Sequence, residues 1–334
     1  MLSSLEFEDL DRYLLAQNGR IIHQIWFGTM PDARAARKAY GKLKRYRDSW
    51  KVQNPTWCHL EWSKDMCVEF MRSFFPEHTE MFAHYRYEIQ RCDAIRYFIL
   101  YRYGGLYADM DYHCCLPFDK VLGGPEHDSV GEFPGDFYLV ETPNAIGNDR
   151  YISNSLMYSV PRHPFWRTVF LELQKHRNDL RYSKHLHVMF RAGPGFLNRV
   201  FQRHKYRMGL KSFPKEQFQP FGTRDELRAL TATRRGKQSC EKPVYAVHVS
   251  QGCWHGRDRV AILFITQNWP VVLLTLLVIA IPLLWNWCHR GEASPRESAP
   301  SAPSLEAVEL SPTQPFKSAG SQRSDSLGEA PSRS

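Results

Sequence analysis

Arg91-Cys-Asp-Ala-Ile-Arg-Tyr-Phe-Ile-Leu-Tyr-Arg-Tyr-Gly-Gly-Leu-Tyr-Ala-Asp-Met-Asp111 is the stretch whose reading decides the fold. Glu88 to Tyr103 predicts a helix with Ile95, Phe98 and Ile99 on its core side. Asp93 and Arg96, three residues apart, share one helical face. Gly104-Gly105 halts the helix and reverses the chain. Leu106 to Asp109 then reads as a strand that delivers Asp109 to its carboxyl end. Asp111 follows at period-two spacing, so in extended backbone the two carboxylates point the same way.

Two adjacent carboxylates repel unless a cation or a proton sits between them. Hard oxygen ligands suit Mn²⁺ or Mg²⁺, which also hold substrate phosphates and neutralise a leaving diphosphate. An Asp-x-Asp alone recurs by chance as two solvated turn residues. Here a helix, a double glycine and an apolar strand aim it.

Upstream, Arg20-Ile-Ile-His-Gln-Ile-Trp-Phe-Gly28 reads as a buried first strand, Ala33 to Lys51 as a helix, Trp57 to Trp62 as a second strand and Lys64 to Phe75 as a helix. Downstream, Ile152 to Val160, Pro164 to His176 and Gly193-Pro-Gly-Phe196 continue the alternation, and Tyr245 to Val249 is the expected last strand. Strands alternating with helices predict an α/β unit with a parallel sheet covered on both faces. Its ligand site is expected at the carboxyl ends of the strands.

The expected organisation is a short N-terminal helix over residues 1–19, a globular domain over 20–258, a membrane helix over 260–287 and a disordered tail over 291–334. Val260 to Trp287 holds no Asp, Glu, Lys or Arg, enough to cross a bilayer as a helix. The tail is dominated by Ser, Pro, Ala, Gly and Glu and cannot offset its ordering entropy. The first twenty residues show no basic segment followed by an apolar one, so a single anchor near the C-terminus is expected, its orientation left open.

The chain of 334 residues carries a net charge of +9. That raises the question of an anionic partner. The run Arg34 to Arg47 is locally basic, but no zinc-finger spacing or RNA-binding signature accompanies it, so nucleic acid is not expected. The eight cysteines include no Cys-x-x-Cys pair, which argues against structural zinc.

Several blocks in order resemble glycosyltransferase family 32: Ile21-Ile-His-Gln-Ile-Trp-Phe-Gly28, the Asp93/Arg96 helix, Tyr103-Gly-Gly-Leu-Tyr-Ala-Asp-Met-Asp111, Ile152-Ser-Asn-Ser155, His163-Pro-Phe165, Gly193-Pro-Gly-Phe196 and Cys253-Trp-His-Gly256. Within it, the chain looks most like the catalytic subunit of inositol phosphorylceramide mannosyltransferase. The resemblance implies a GT-A fold (Rossmann-like, for nucleotide-diphospho-sugars), a GDP-mannose donor, an inositol phosphorylceramide acceptor, a Mn²⁺-type metal, retained anomeric configuration and Golgi or other endomembrane residence. It also allows for a regulatory subunit.

By position, the resemblance implies that Asp109 and Asp111 hold metal and diphosphate, while Asp93 and Arg96 contact the donor's sugar and ribose region. Trp26 would lie near the base or ribose, Asn154 near the transferred sugar, and His248 and Trp254 over the diphosphate. Two positions depart from the family pattern: Tyr112 stands where a further acid is frequent, and Cys253 precedes Trp254 where Ser is common. Rival readings are a transferase using a UDP-sugar on a glycan or protein, and a silent membrane adaptor on the same fold. A phosphohydrolase would need further His/Asp ligands.

Overall fold

The computed structural model describes residues 4–28, 33–122, 135–142, 151–175, 183–220, 243–249 and 268–289. The chain divides into two units, Met1–Leu276 and Leu277–Ser334.

In the first unit, α1 (Ser4–Ala16) leads into β1 (Ile21–Ile25), α2 (Ala33–Gln53), β2 (Cys58–Trp62), α3 (Lys64–Phe74), α4 (Pro76–Ala83) and α5 (Glu88–Tyr103). Then come β3 (Gly105–Ala108), β4 (Tyr112–Cys114), α6 (Asp119–Leu122), β5 (Phe137–Thr142), β6 (Tyr151–Ser159) and α7 (Pro164–Lys175). The described part closes with α8 (Lys184–Arg191), α9 (Pro194–Met208), β7 (Lys211–Phe213), α10 (Lys215–Phe218) and β8 (Ala246–His248).

Six strands form one sheet in the order β2-β1-β3-β6-β5-β7, and β4 pairs with β8 in a second, two-stranded sheet. β1 runs parallel to β2 and β3, and β5 parallel to β7. β6, however, is antiparallel to both β3 and β5. The expected all-parallel sheet is therefore a mixed one. Eight residues separate β5 from β6, fewer than the dozen or more that a parallel crossover needs, so the two pair antiparallel.

Each strand alternates between two packed faces. Ile21, Ile25, Tyr107, Leu139 and Met157 enter one core with α5, α7 and α9. Ile22, Leu106, Ala108, Val140 and Leu156 enter the other, beneath Trp50 of α2. The expectation of a sheet covered on both faces holds, and such strands read as continuous apolar runs.

Helix α5 is buried from Asp93 to Leu100 without a break. It lacks a polar stripe because neighbours surround it. Gly104 and Gly105 follow with φ of +65° and +90°. A Cβ on Gly104 would fall 2.5 Å from Pro161 Cδ, and one on Gly105 2.4 Å from the Ile21 carbonyl oxygen. Only glycine meets both demands, and so β3 can slot between β1 and β6.

His23 of β1 locks this corner. Its Nδ1 lies 3.1 Å from the Trp62 indole Nε1, and its Nε2 lies 3.0 Å from the Gly104 carbonyl. Indole N–H only donates, so Nδ1 accepts and Nε2–H donates to Gly104. Burial depresses the imidazole pKa to about 4, which keeps this tautomer neutral.

Helix α11 (Trp269–His289) contains Pro282, and the described side chains from Leu273 to Trp287 are largely exposed apolar groups. Among the described residues no helix is long and apolar enough to cross a membrane. Side chains of the expected span, residues 260–287, are described only in part.

Candidate functional site

The carboxyl end of β3 is where the chemistry collects. Asp109 leaves the strand with its amide donating to the Ser155 carbonyl at 2.9 Å. The chain then turns: Tyr112 N–H donates to the Asp109 carbonyl at 3.0 Å. Asp109 and Asp111 therefore converge through a tight turn, not through the extended backbone their spacing suggested. The turn is closed by β8, whose neighbour Val249 donates its amide to the Asp111 carbonyl at 3.0 Å. Trp50 of α2 secures β4 from below, its indole donating to the Tyr112 carbonyl at 2.9 Å.

Pairing of β4 with β8 sets Tyr112 opposite His248. The two rings stack at 4.5 Å and 3°. His248 Nε2 reaches Asp111 Oδ1 at 3.1 Å. One ligand atom each from Asp109, Asp111 and His248 lies within 4.8 Å of the others. Two carboxylates and an imidazole are a ligand set that could hold a divalent cation. Tyr112, which departs from an acid in the family pattern, serves here as the stacking platform for His248.

Behind the cluster sits a buried polar network centred on Arg96. Its Nη1 donates to Asp109 Oδ1 at 3.0 Å and to the Asn154 carbonyl at 2.8 Å. Its Nε donates to the Cys92 carbonyl at 2.9 Å, and Nη2 meets Asp93 Oδ1 at 3.0 Å. Asn154 Nδ2 donates to Asp93 Oδ1 at 2.9 Å and to the Tyr97 hydroxyl at 3.1 Å. The Tyr97 hydroxyl in turn donates a hydrogen bond to the Ala192 carbonyl at 2.7 Å, beside Gly193 of the Gly-Pro-Gly-Phe loop. A Cβ at Gly193 would fall 2.7 Å from the Val188 carbonyl and 3.2 Å from Asp93 Oδ2.

Asp93 and Arg96 are 5% and 3% exposed, so they act on each other and on Asp109 before anything outside. Tyr107, two residues before Asp109, donates to Asp109 Oδ1 at 2.7 Å and lies under the Arg96 guanidinium at 4.4 Å. Both hydrogen bonds to Asp109 thus fall on one oxygen.

Burial raises the Asp93 carboxyl to about 6; Arg96 opposes the rise and the charge of Asp109 adds to it. Asp109 is raised for the same reason, burial first, with Arg96 pulling it back and Asp111 pushing it up. Burial also works against the Arg96 cation, yet Tyr107, Asp109 and Asp93 outweigh it and hold its pKa above the ordinary value. Three ionisable groups in low dielectric, with two like charges facing the turn, are what a cation would relieve.

Of the residues singled out in the sequence, Asp93, Arg96, Asn154, Asp109, Asp111 and His248 are brought together. Trp26 lies at the same end of the sheet, packed with Tyr40 against Leu43, Tyr46, Met110 and Val249. Trp254 and the rest of the Cys-Trp-His-Gly block lie outside the described residues. Sequence reasoning missed Tyr97 and Tyr107; it expected His248 over the diphosphate, and the structure sets its Nε2 3.1 Å from Asp111 Oδ1. Tyr107 was within reach of the period-two argument already applied to Asp109 and Asp111.

Fold and site together define an α/β protein with a DXD-type metal cluster at the carboxyl end of a central strand. Residues 41–128 match the family described as glycosyltransferase sugar-binding region containing DXD motif. Over those residues the chain is similar to this DXD-containing glycosyltransferase family. A mannosyl phosphorylinositol ceramide synthase of Saccharomyces cerevisiae is 33% identical over 152 residues, which is 46% of this chain and 35% of that protein. Inositol phosphoceramide mannosyltransferase 1 of Schizosaccharomyces pombe is 28% identical over 266 residues, 80% of this chain and 71% of that one. The match thus spans about a third of the first relative's length.

Among solved structures, the PaToxG glycosyltransferase aligns over 79% of this chain and 91% of its own at 15% identity and a TM-score of 0.39. The apo-form glycosyltransferase GlyE of Streptococcus pneumoniae aligns over 78% of this chain and 64% of its own, at 14% identity and a TM-score of 0.35. The mixed α/β assignment rests on the strand order above.

Proposed function

We propose that this chain is a metal-dependent GT-A transferase that moves mannose from GDP-mannose to the headgroup of an inositol phosphorylceramide, with anomeric configuration retained. The observation that carries the reading is the convergence of Asp109, Asp111 and His248 at the carboxyl end of β3, backed by Arg96. In it, Asp109, Asp111 and His248 hold Mn²⁺, which when bound neutralises the leaving diphosphate. Arg96 is a positioning residue. Four of its five N–H bonds are spent on Cys92, Asp93, Asp109 and Asn154, which aims Asp109 at the cation. Asp93 and Asn154 brace the guanidinium, and the Gly193 loop brings the donor sugar's side of the site to them. Trp26 stands beside the nucleotide.

The catalytic unit is residues 20–258, and the apolar run over 260–287 anchors it to an endomembrane such as the Golgi, with the tail beyond. A helix of about twenty residues matches the hydrocarbon thickness of about 30 Å. The exposed leucines of α11 supply the apolar surface. The relatives named for action on inositol phosphoceramide support a lipid acceptor.

The test uses the full chain in detergent with Mn²⁺ and a donor panel of GDP-mannose, UDP-glucose, UDP-galactose and UDP-N-acetylglucosamine. GDP-mannose is expected to give donor hydrolysis, transfer to inositol phosphorylceramide and the largest thermal shift, all lost in Asp109→Ala. A response to a UDP-sugar alone would reassign the donor. Absence of any donor binding, unaltered by Asp109→Ala, would sink the enzyme reading.

A further inference from the structure

Helix α2 holds eight cations against one carboxylate, Asp48, and so carries most of the chain's excess positive charge. Lys44 is paired with Asp48, and Arg47 with Asp48 and Glu61. Arg34, Arg37, Lys38 and Lys42 are exposed, and among the described residues none has an acidic partner. At about 100° per residue these four and Arg45 form one broad stripe, on the side of the helix away from the buried Leu43 and Trp50. Gly41 lies within the stripe, and a Cβ there would meet nothing within 4 Å. No packing contact requires that glycine, and its bare backbone leaves a flat spot between the cations.

The position of the stripe is as telling as its charge. Leu43 and Tyr46, on the helix's inner side, pack with Met110 of the Asp-Met-Asp turn and with Val249, next to His248. One helix diameter, about 10 Å, therefore separates the stripe from the metal cluster. The charge-free apolar run at Val260 begins eleven residues after Val249. No aromatic side chain is interleaved on the exposed stripe, as stacking on single-stranded nucleic acid would need. Four to eight Lys/Arg on an amphipathic helix match an anionic headgroup layer.

We infer that the cationic stripe of α2 docks on an anionic lipid surface and holds the mouth of the site at the headgroup plane. The inference rests on the membrane reading given under Proposed function. It adds a second membrane contact, on the globular part, independent of the apolar run.

The experiment reconstitutes the full chain in nanodiscs that carry a photo-crosslinkable phosphatidylinositol in a zwitterionic background, then maps the labelled peptides. A parallel set carries a photo-crosslinkable phosphatidylcholine. Label is expected on residues 33–46 with the anionic lipid only, falling at least about fivefold in Lys38→Gln/Lys42→Gln or at high salt, since each cation near such a surface contributes about that factor. Arg207→Gln, an exposed control at the far end of the sheet, should leave it unchanged. Both sets should label the apolar helix, which reports membrane insertion separately. Apolar-helix label without α2 label, or α2 label indifferent to headgroup charge, would overturn the docking face and leave the membrane reading standing. Loss of label from both segments would overturn the two together.

Discussion

Asp93→Asn isolates the electrostatics of the network behind the metal cluster. Asp93 is 5% exposed, with its carboxylate 3.0 Å from Arg96 and 2.9 Å from the Asn154 amide. Two effects compete: burial favours the neutral acid, and Arg96 favours the anion. Burial wins, placing the folded-state pKa at about 6 against an ordinary value of 3.8. A raised carboxyl contributes stability that is fully present below its unfolded value and is lost as pH rises through the folded one. At about 1.36 kcal/mol per unit, the full loss is about 3 kcal/mol, and about 2 kcal/mol of it falls between pH 4.5 and 7.5.

Asparagine keeps an oxygen for Arg96 and Asn154 but does not titrate. The stability of the variant minus that of the parent should therefore rise with pH, by about 2 kcal/mol over that range. Urea denaturation of the full chain in micelles with a chelator, followed by tryptophan fluorescence, measures the difference, and titrating groups that do not couple to Asp93 cancel in it. A difference that falls with pH would mean that Arg96 holds the carboxyl below its ordinary value, reversing the order of the two effects. A flat difference would mean that neither wins.

Two further outcomes follow from the same geometry. Tyr107→Phe removes the hydroxyl that fixes Asp109 Oδ1 at 2.7 Å, and Mn²⁺ affinity by calorimetry should fall about tenfold or more, as for other groups that orient a ligand; unchanged affinity would show that Arg96 alone suffices. Gly104→Ala forces a Cβ to 2.5 Å from Pro161 at a φ of +65° and should cost about 3 kcal/mol or more, read as a lowered midpoint of unfolding.

Local signals marked most of the residues that the fold brings together at the end of β3. The expected helix Glu88–Tyr103 coincides with α5, because a glycine pair that must adopt positive φ stops the helix where the next strand begins. The expected strands at Ile21, Trp57 and Leu106 all formed; β1 and β3 are buried throughout, while β2, at the edge of the sheet, is half-buried up to Trp62. Strand direction was not legible in the same way. Nothing in Ile152-Ser-Asn-Ser155 says whether its strand runs with or against β3; that is decided by how β5 returns to the sheet. The reversal has a consequence for the site. Antiparallel β6 brings Ser155 level with the end of β3, so that its carbonyl accepts from the Asp109 amide and Asn154 faces Asp93. A parallel β6 would have presented different residues at that level.

His248 marks the limit of local reasoning. It stands 137 residues from Asp111 and meets it only because β8 pairs with β4, a three-residue strand that continues directly from the Asp-Met-Asp turn. Period-two spacing predicted that the two carboxylates would converge, and they do, but through a turn whose shape the β4–β8 ladder maintains. The metal cluster is therefore conditional on long-range pairing in a way that its motif conceals. Substitutions that weaken the β4–β8 ladder, at Cys114 or Ala246 for instance, should scatter the third ligand while leaving Asp109 braced by Arg96. Both side chains are buried, so stability falls together with metal affinity; with Asp109 still braced, calorimetry should show a weakened site and not an abolished one.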